Sequence, residues 1–176
     1  PPNFPIEYKD LKSERIHHII KDNSTFFVKY EDHDVFNIMA MQSFAPSHPQ
    51  QGAIYYKIID CDTKGSLACI WDIESKIGGD KAVINFSKDC DIMIHDTQYT
   101  NEEYQSQERI VQGLGHSTYD MAVENATQAG IKKMLLCTHF NTTHTDDFLD
   151  AIQKEMNKKK TGFNIQLAYE GLSIEV

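Results

Sequence analysis

The chain has 176 residues, 40% of them apolar, and a formal net charge of −9. That length supports one sizeable core and is too short for two ordinary domains, so residues 1–176 are expected to form a single domain. No apolar run reaches the roughly 18 residues of a membrane span, and no basic-then-apolar leader opens the chain. The acidic balance, with Lys158-Lys159-Lys160 the only compact basic run, excludes a broad surface for gripping duplex nucleic acid. The expectation is a soluble, cytoplasmic protein with neither a membrane nor a duplex partner.

Phe26–Tyr30 and Val35–Met41 are β-prone runs separated by the polar Glu31-Asp32-His33-Asp34, which predicts a hairpin. Beyond the loop 46–52, Ala53–Asp60 and Leu67–Trp71 around a turn at Asp62–Gly65 predict a second hairpin. The pattern then changes. Asp91–His95 is a short apolar strand, and Thr100-x-x-Glu103 has the form of a capping box opening a helix toward Gln112. Ser117-x-x-Asp120 is a second such start. It leads into a helical stripe of Met121, Ala122, Asn125, Ala126 and Ala129 that stops at Gly130. Met134–Thr138 reads as a buried strand, and Thr145 caps a helix with the stripe Phe148, Leu149, Ile152 and Met156. Asn164–Tyr169 and Leu172–Val176 read as closing strands. Hairpins followed by strand and helix alternation predict an α/β architecture of mixed sheets covered by helices.

The cysteines Cys61, Cys69, Cys90 and Cys137 are widely spaced without a C-x-x-C pair. They read as reduced core thiols, with a zinc-thiolate site or a disulfide as the alternative.

Three apolar strands run into a ligand-type residue: Leu67–Trp71 into Asp72, Ile92–Ile94 into His95-Asp96, and Met134–Thr138 into His139. If these strands are neighbours, the side chains meet at one rim of a sheet, where α/β folds place their sites. His48, in Ser47-His48-Pro49-Gln50-Gln51-Gly52, is a fourth candidate. Imidazole and carboxylate together suit Zn²⁺, Mn²⁺ or Fe. One at a time these residues are equally ordinary loop and turn formers.

Gly113-Leu114-Gly115-His116-Ser117-Thr118 sets a histidine just before a capped helix N-terminus, after two glycines whose backbone N–H groups can approach an anion. The positive helix end disfavours imidazolium, so His116 is expected to stay neutral while donating to a phosphoryl oxygen. As a general acid it needs a partner, and Asp96 or a substrate-bound metal is expected to orient or polarise it. The alternative is that His116 only packs over the helix entrance.

In order, SHPQQGAIYYKI, CIWDIES, CDIMIHDTQYTNEEY, GLGHSTYDMAVENA and KMLLCTHFNTTHTDD resemble the phosphodiesterase branch of the metallo-β-lactamase fold, which includes ribonuclease Z and small cyclic-nucleotide phosphodiesterases. The resemblance implies an αββα sandwich, present here in part. It further implies that His48, Asp72 and His139 are metal ligands, that His116 is the catalytic acid, and that Asp96 supports it. The same resemblance implies two divalent ions, zinc, manganese or iron, in the complete enzyme.

The family's H-x-H-x-D-H is not in the sequence, and Pro1-Pro2-Asn3-Phe4-Pro5-Ile6 resembles the stretch immediately after it. His17-His18 and His33-Asp34 have the wrong spacing and read as surface residues. The expectation is therefore a C-terminal segment of a phosphodiesterase, inactive alone, whose open sheet face favours a homo-oligomer or association with the missing N-terminal part. Acidity argues for a small phosphodiester such as a cyclic nucleotide. The alternatives are a ribonuclease Z-like RNA endonuclease and a non-catalytic scaffold that keeps the fold.

Overall fold

In the computed structural model, residues 19–43 and 52–176 are described. His48, His17 and His18 lie outside the described residues. Ser24–Tyr30 (β1) and His33–Ser43 (β2) form the first hairpin, turning through Glu31 in a left-handed conformation (φ 53°). Ala53–Asp60 (β3) pairs antiparallel with β2 and with Ser66–Ile70 (β4). Asp60 Oδ1 fixes the second turn by accepting the backbone N–H groups of Asp62 and Thr63. Gly65 belongs there because a Cβ would sit 2.9 Å from the carbonyl oxygen of Val176.

From β4 onward the pairing is parallel, through Ile92–Asp96 (β5), Met134–Thr138 (β6) and Asn164–Leu167 (β7). The described residues thus form one mixed seven-stranded sheet whose spatial order follows the chain. Parallel neighbours need crossovers, supplied by Lys81–Phe86 (α1), Asn101–Gln105 (α2) with Tyr119–Ala129 (α3), and Asp146–Met156 (α4). Val83 of α1, Ala122, Ala126 and Ala129 of α3 and Met156 of α4 share one core with Ala68, Ile70, Met93, Leu135, Cys137 and Leu167 of the sheet. Strand alternation puts Ile38, Tyr56, Ile58, Leu67 and Ile94 on the opposite face. On that same face Val28, Phe36 and Ile54 are more than a third exposed.

Three local expectations change. The helix opened by the Thr100 capping box is present but stops at Gln105 instead of reaching Gln112, because no apolar stripe continues it: α2 buries no residue. The α3 cap is Thr118, not Ser117, whose hydroxyl instead donates to the Ile73 carbonyl. Leu172–Val176 pairs with no strand among the described residues, and it ends against Gly65. Sequence reading also passed over α1, although Asp80 caps it by accepting from the backbone of Ala82 and Val83.

All four cysteines are free; Cys69, Cys90 and Cys137 are buried. Burial pushes the thiols of Cys69 and Cys137 up to about 11 and about 12, which keeps them apolar and protonated.

Asn125 of α3, fully buried, joins three elements. Its Nδ2 donates to Ser75 Oγ and His95 Nε2 (3.0 Å each), and its Oδ1 accepts the Asp80 N–H at 2.8 Å. Replacing it leaves buried partners unsatisfied, at roughly 1–3 kcal/mol each. Asn125→Ala is expected to lower unfolding free energy by about 2–4 kcal/mol in urea titration, against less than about 0.5 kcal/mol for the exposed control Thr127→Ala.

Candidate metal and phosphate site

The parallel register brings the ends of β4, β5 and β6 to one edge, so Asp72, Asp96 and His139 emerge side by side. Asp72 (φ 49°) and His139 (φ 62°) both occupy the left-handed region, which is uncommon for residues with a side chain and strained. Each lies just beyond its strand, where this conformation turns the side chain toward the shared edge. His116 reaches the same point from the loop before α3. Asp72, Asp96, His116 and His139 place one ligand atom each within 4.8 Å of all the others.

Asp96 is the centre of this group. It is fully buried, yet its oxygens face five donors. Oδ1 accepts the backbone N–H groups of Gln98 and Ser117 (3.2 Å each). Oδ2 faces His116 Nδ1 at 2.7 Å, His139 Nδ1 at 3.1 Å and the Ile73 N–H at 3.4 Å. His139 Nδ1 also lies 3.4 Å from Asp72 Oδ1. The two imidazole rings stand 4.8 Å apart, edge to face. With its lone pairs occupied, Asp96 acts as a positioning residue for the two histidines, whereas Asp72 and His139 remain nearly half exposed.

The hydrogen bond to Asp96 raises the His116 pKa above the ordinary histidine value, outweighing burial. The contact with a buried carboxylate opposes the neutral ring expected at a helix terminus and shifts the balance toward the protonated form. The two glycines also differ from expectation. Gly113 (φ 84°) and Gly115 (φ 92°) do present their N–H groups to an anion, but the anion is Glu74, at 2.8–3.0 Å. Tyr104 Oη donates to the same carboxylate at 2.6 Å.

His95, adjacent to Asp96 in sequence, takes no part in the group. It points into the helix side, fully buried, with Nδ1–H donating to the Asp96 carbonyl at 2.7 Å and Nε2 accepting from Asn125. Burial lowers its pKa, and the ring is held neutral as a structural element. The roles of the Glu74 carboxylate and the Ser117 hydroxyl escaped the sequence reading. The partners of these two groups lie 30 to 44 positions away in the chain, several of them backbone atoms, and no spacing rule marks such pairs. His144 is held against Glu103 by a 2.8 Å contact.

The donor set fits a divalent cation. Two carboxylates and two imidazoles converge, two of the ligand residues are accessible, and the acidic side chains leave negative charge for a cation to offset. Asp72 and His139 are the described residues that would hold it.

No family model matches the chain. Its sequence is 31% identical over 96 residues to the ribonuclease Z of Methanosarcina acetivorans, a match covering 54% of this chain and 29% of that protein. It is 32% identical over 94 residues to the ribonuclease Z of Acaryochloris marina, covering 53% and 28%. The match thus spans under a third of the length of these relatives. Among solved structures, the metallo-β-lactamase fold protein YhfI of Bacillus subtilis superposes with a TM-score of 0.61 at 17% identity, covering 87% of this chain and 53% of that one. Unliganded yeast PDE1 gives 0.56 at 11% identity, and the short form of human tRNase Z 0.54 at 17%; each covers 86% of this chain and 48% of the other.

The Glu74 clamp has a direct readout. In Glu74→Ala the amide protons of Gly113 and Gly115 are expected to exchange with solvent at least about tenfold faster, the consequence of losing charge-assisted hydrogen bonds. Glu74→Gln, which keeps an acceptor oxygen, is expected to fall between. NMR-detected hydrogen exchange checks this, and unchanged rates in the alanine variant would show that the loop holds itself.

Proposed function

The chain has part of the metallo-β-lactamase fold and resembles its ribonuclease Z and phosphodiesterase branch; on that footing we propose that it carries part of the active site of a metal-dependent phosphodiester hydrolase. The observation behind this reading is the convergence of Asp72, Asp96, His116 and His139 at one sheet edge. Asp72 and His139 are assigned as metal ligands, with His48 as a third. Two divalent ions, zinc, manganese or iron, would supply Lewis acidity and a water activated at neutral pH.

The protein's own groups then divide the work. Asp96 holds Nδ1 of His116, fixing the ring so that Nε2 is the atom that protonates the departing oxygen. Its carboxylate also keeps the imidazolium populated closer to neutral pH, as a general acid requires. Asp96 holds His139 through the same oxygen, so acid and ligand share one anchor. Glu74 fixes the approach of the loop that carries His116.

The substrate is assigned as a small phosphodiester such as a cyclic nucleotide, because the charge of −9 disfavours a long polyanion. A ribonuclease-type substrate is the second reading, favoured by the sequence matches to ribonuclease Z. The intact protein is expected to hydrolyse bis(p-nitrophenyl) phosphate with added Mn²⁺ or Zn²⁺, and His116→Ala or His139→Ala to reduce turnover by about a hundredfold or more. Full activity in His139→Ala would remove the metal assignment. Comparing a 3′,5′-cyclic nucleotide with an RNA bearing a 3′ extension separates the two substrate readings by kcat/KM.

A further inference from the structure

We propose that the groove bordered by the last residues of β2, the first residues of β3, the 73–77 loop and α1 is the subsite for the nucleoside part of the substrate, receiving its flat heterocyclic base. The inference rests on the phosphodiesterase reading above and adds the group that the site recognises beyond the phosphate.

Position is the first argument. The groove holds about 690 Å³, within the roughly 300–1,000 Å³ of small-molecule sites. Ile73, next to Asp72 in the chain, lines it, as do Glu74 and Gly113. The carboxylate of Glu74 also accepts the N–H of Gly115, the residue before His116. A phosphodiester bound at the Asp72, His116 and His139 edge therefore has this groove directly beside it.

Charge is the second. Met41, Tyr55, Ile73 and Val83 give the walls an apolar character, whereas Glu74 and Asp80 are acidic and Lys76 is the single lining cation among the described residues. A phosphate is repelled from such a lining and stays at the metal-type edge. An uncharged ring that buries apolar area is accepted.

The third is Tyr55. Its side chain is 1% exposed, and its hydroxyl makes no hydrogen bond of normal geometry. Ser43 lies close enough to favour the ionised form, but burial prevails and pushes the phenol up to about 12. A buried hydroxyl whose polar neighbour, here Ser43, stands outside normal hydrogen-bond geometry is unfavourable by up to roughly 1–3 kcal/mol. A ring nitrogen or carbonyl of a base entering the groove would satisfy it.

Saturation-transfer NMR on the metal-free protein tests this, with adenosine, cytidine and inorganic phosphate as probes. Both nucleosides are expected to show transfer to their base protons, and phosphate is not expected to displace them. Ala82→Trp, at an exposed position lining the groove, is expected to abolish the transfer. Tyr55→Phe is expected to weaken binding about three- to tenfold, the value of one neutral hydrogen bond, with the melting temperature unchanged or higher. Absence of nucleoside binding at millimolar concentration, or binding indifferent to both substitutions, would overturn the assignment. If bis(p-nitrophenyl) phosphate is hydrolysed while no nucleoside binds, the catalytic reading stands and the groove assignment falls. If nucleosides bind in an Ala82→Trp-sensitive way without hydrolysis, the groove assignment stands and the catalytic one falls.

Discussion

The buried carboxylate of Asp96 is the constraint on which the site depends. An ionised group removed from water is tolerated only when its lone pairs are met by donors, and here those donors come from four separate segments. Ile73 lies just past β4, Gln98 just past β5, His116 and Ser117 before α3, and His139 just past β6. Satisfying one charge thereby fixes the relative positions of the loops at that edge of the sheet. The parallel register delivers the strand ends, and Asp96 locks the loops beyond them.

A second layer of contacts holds that edge from the helix side. Ser117 Oγ donates to the Ile73 carbonyl and accepts the Ser75 N–H, while Asn125 joins Ser75, His95 and Asp80. These bonds restrain the backbone just after Asp72 and just after His116. Together with the Asp96 contacts to the Ile73 N–H and to His139, they surround the two non-glycine residues, Asp72 and His139, that occupy the left-handed region. Strain of that kind survives only where the surroundings over-determine the conformation, and here it turns both side chains toward a common point.

Much of this was legible from sequence, for identifiable reasons. β-prone runs on either side of polar turns located the hairpins, and the stripe Met121, Ala122, Asn125, Ala126, Ala129 gave the buried face of α3 with its left-handed stop at Gly130. Apolar strands ending in Asp72, Asp96 and His139 pointed to a shared rim because parallel strands present like ends to one edge. The hidden features depend on distant partners. Glu74 gives no local sign that its carboxylate will bind two glycine N–H groups, and Ser117 looked like a cap because Ser-x-x-Asp fits that pattern as well as its real role. The pull of Asp96 on the His116 ring was hidden for the same reason: the helix end is visible in sequence, but the 2.7 Å contact with Asp96 is not.

The most direct test is anomalous diffraction from crystals of the protein grown with Zn²⁺ or Mn²⁺. The account requires an ion at roughly 2.0–2.2 Å from both a carboxylate oxygen of Asp72 and a ring nitrogen of His139, with Asp96 still bonded to His116. An ordered ion held elsewhere, with Asp72 and His139 turned apart, would contradict it.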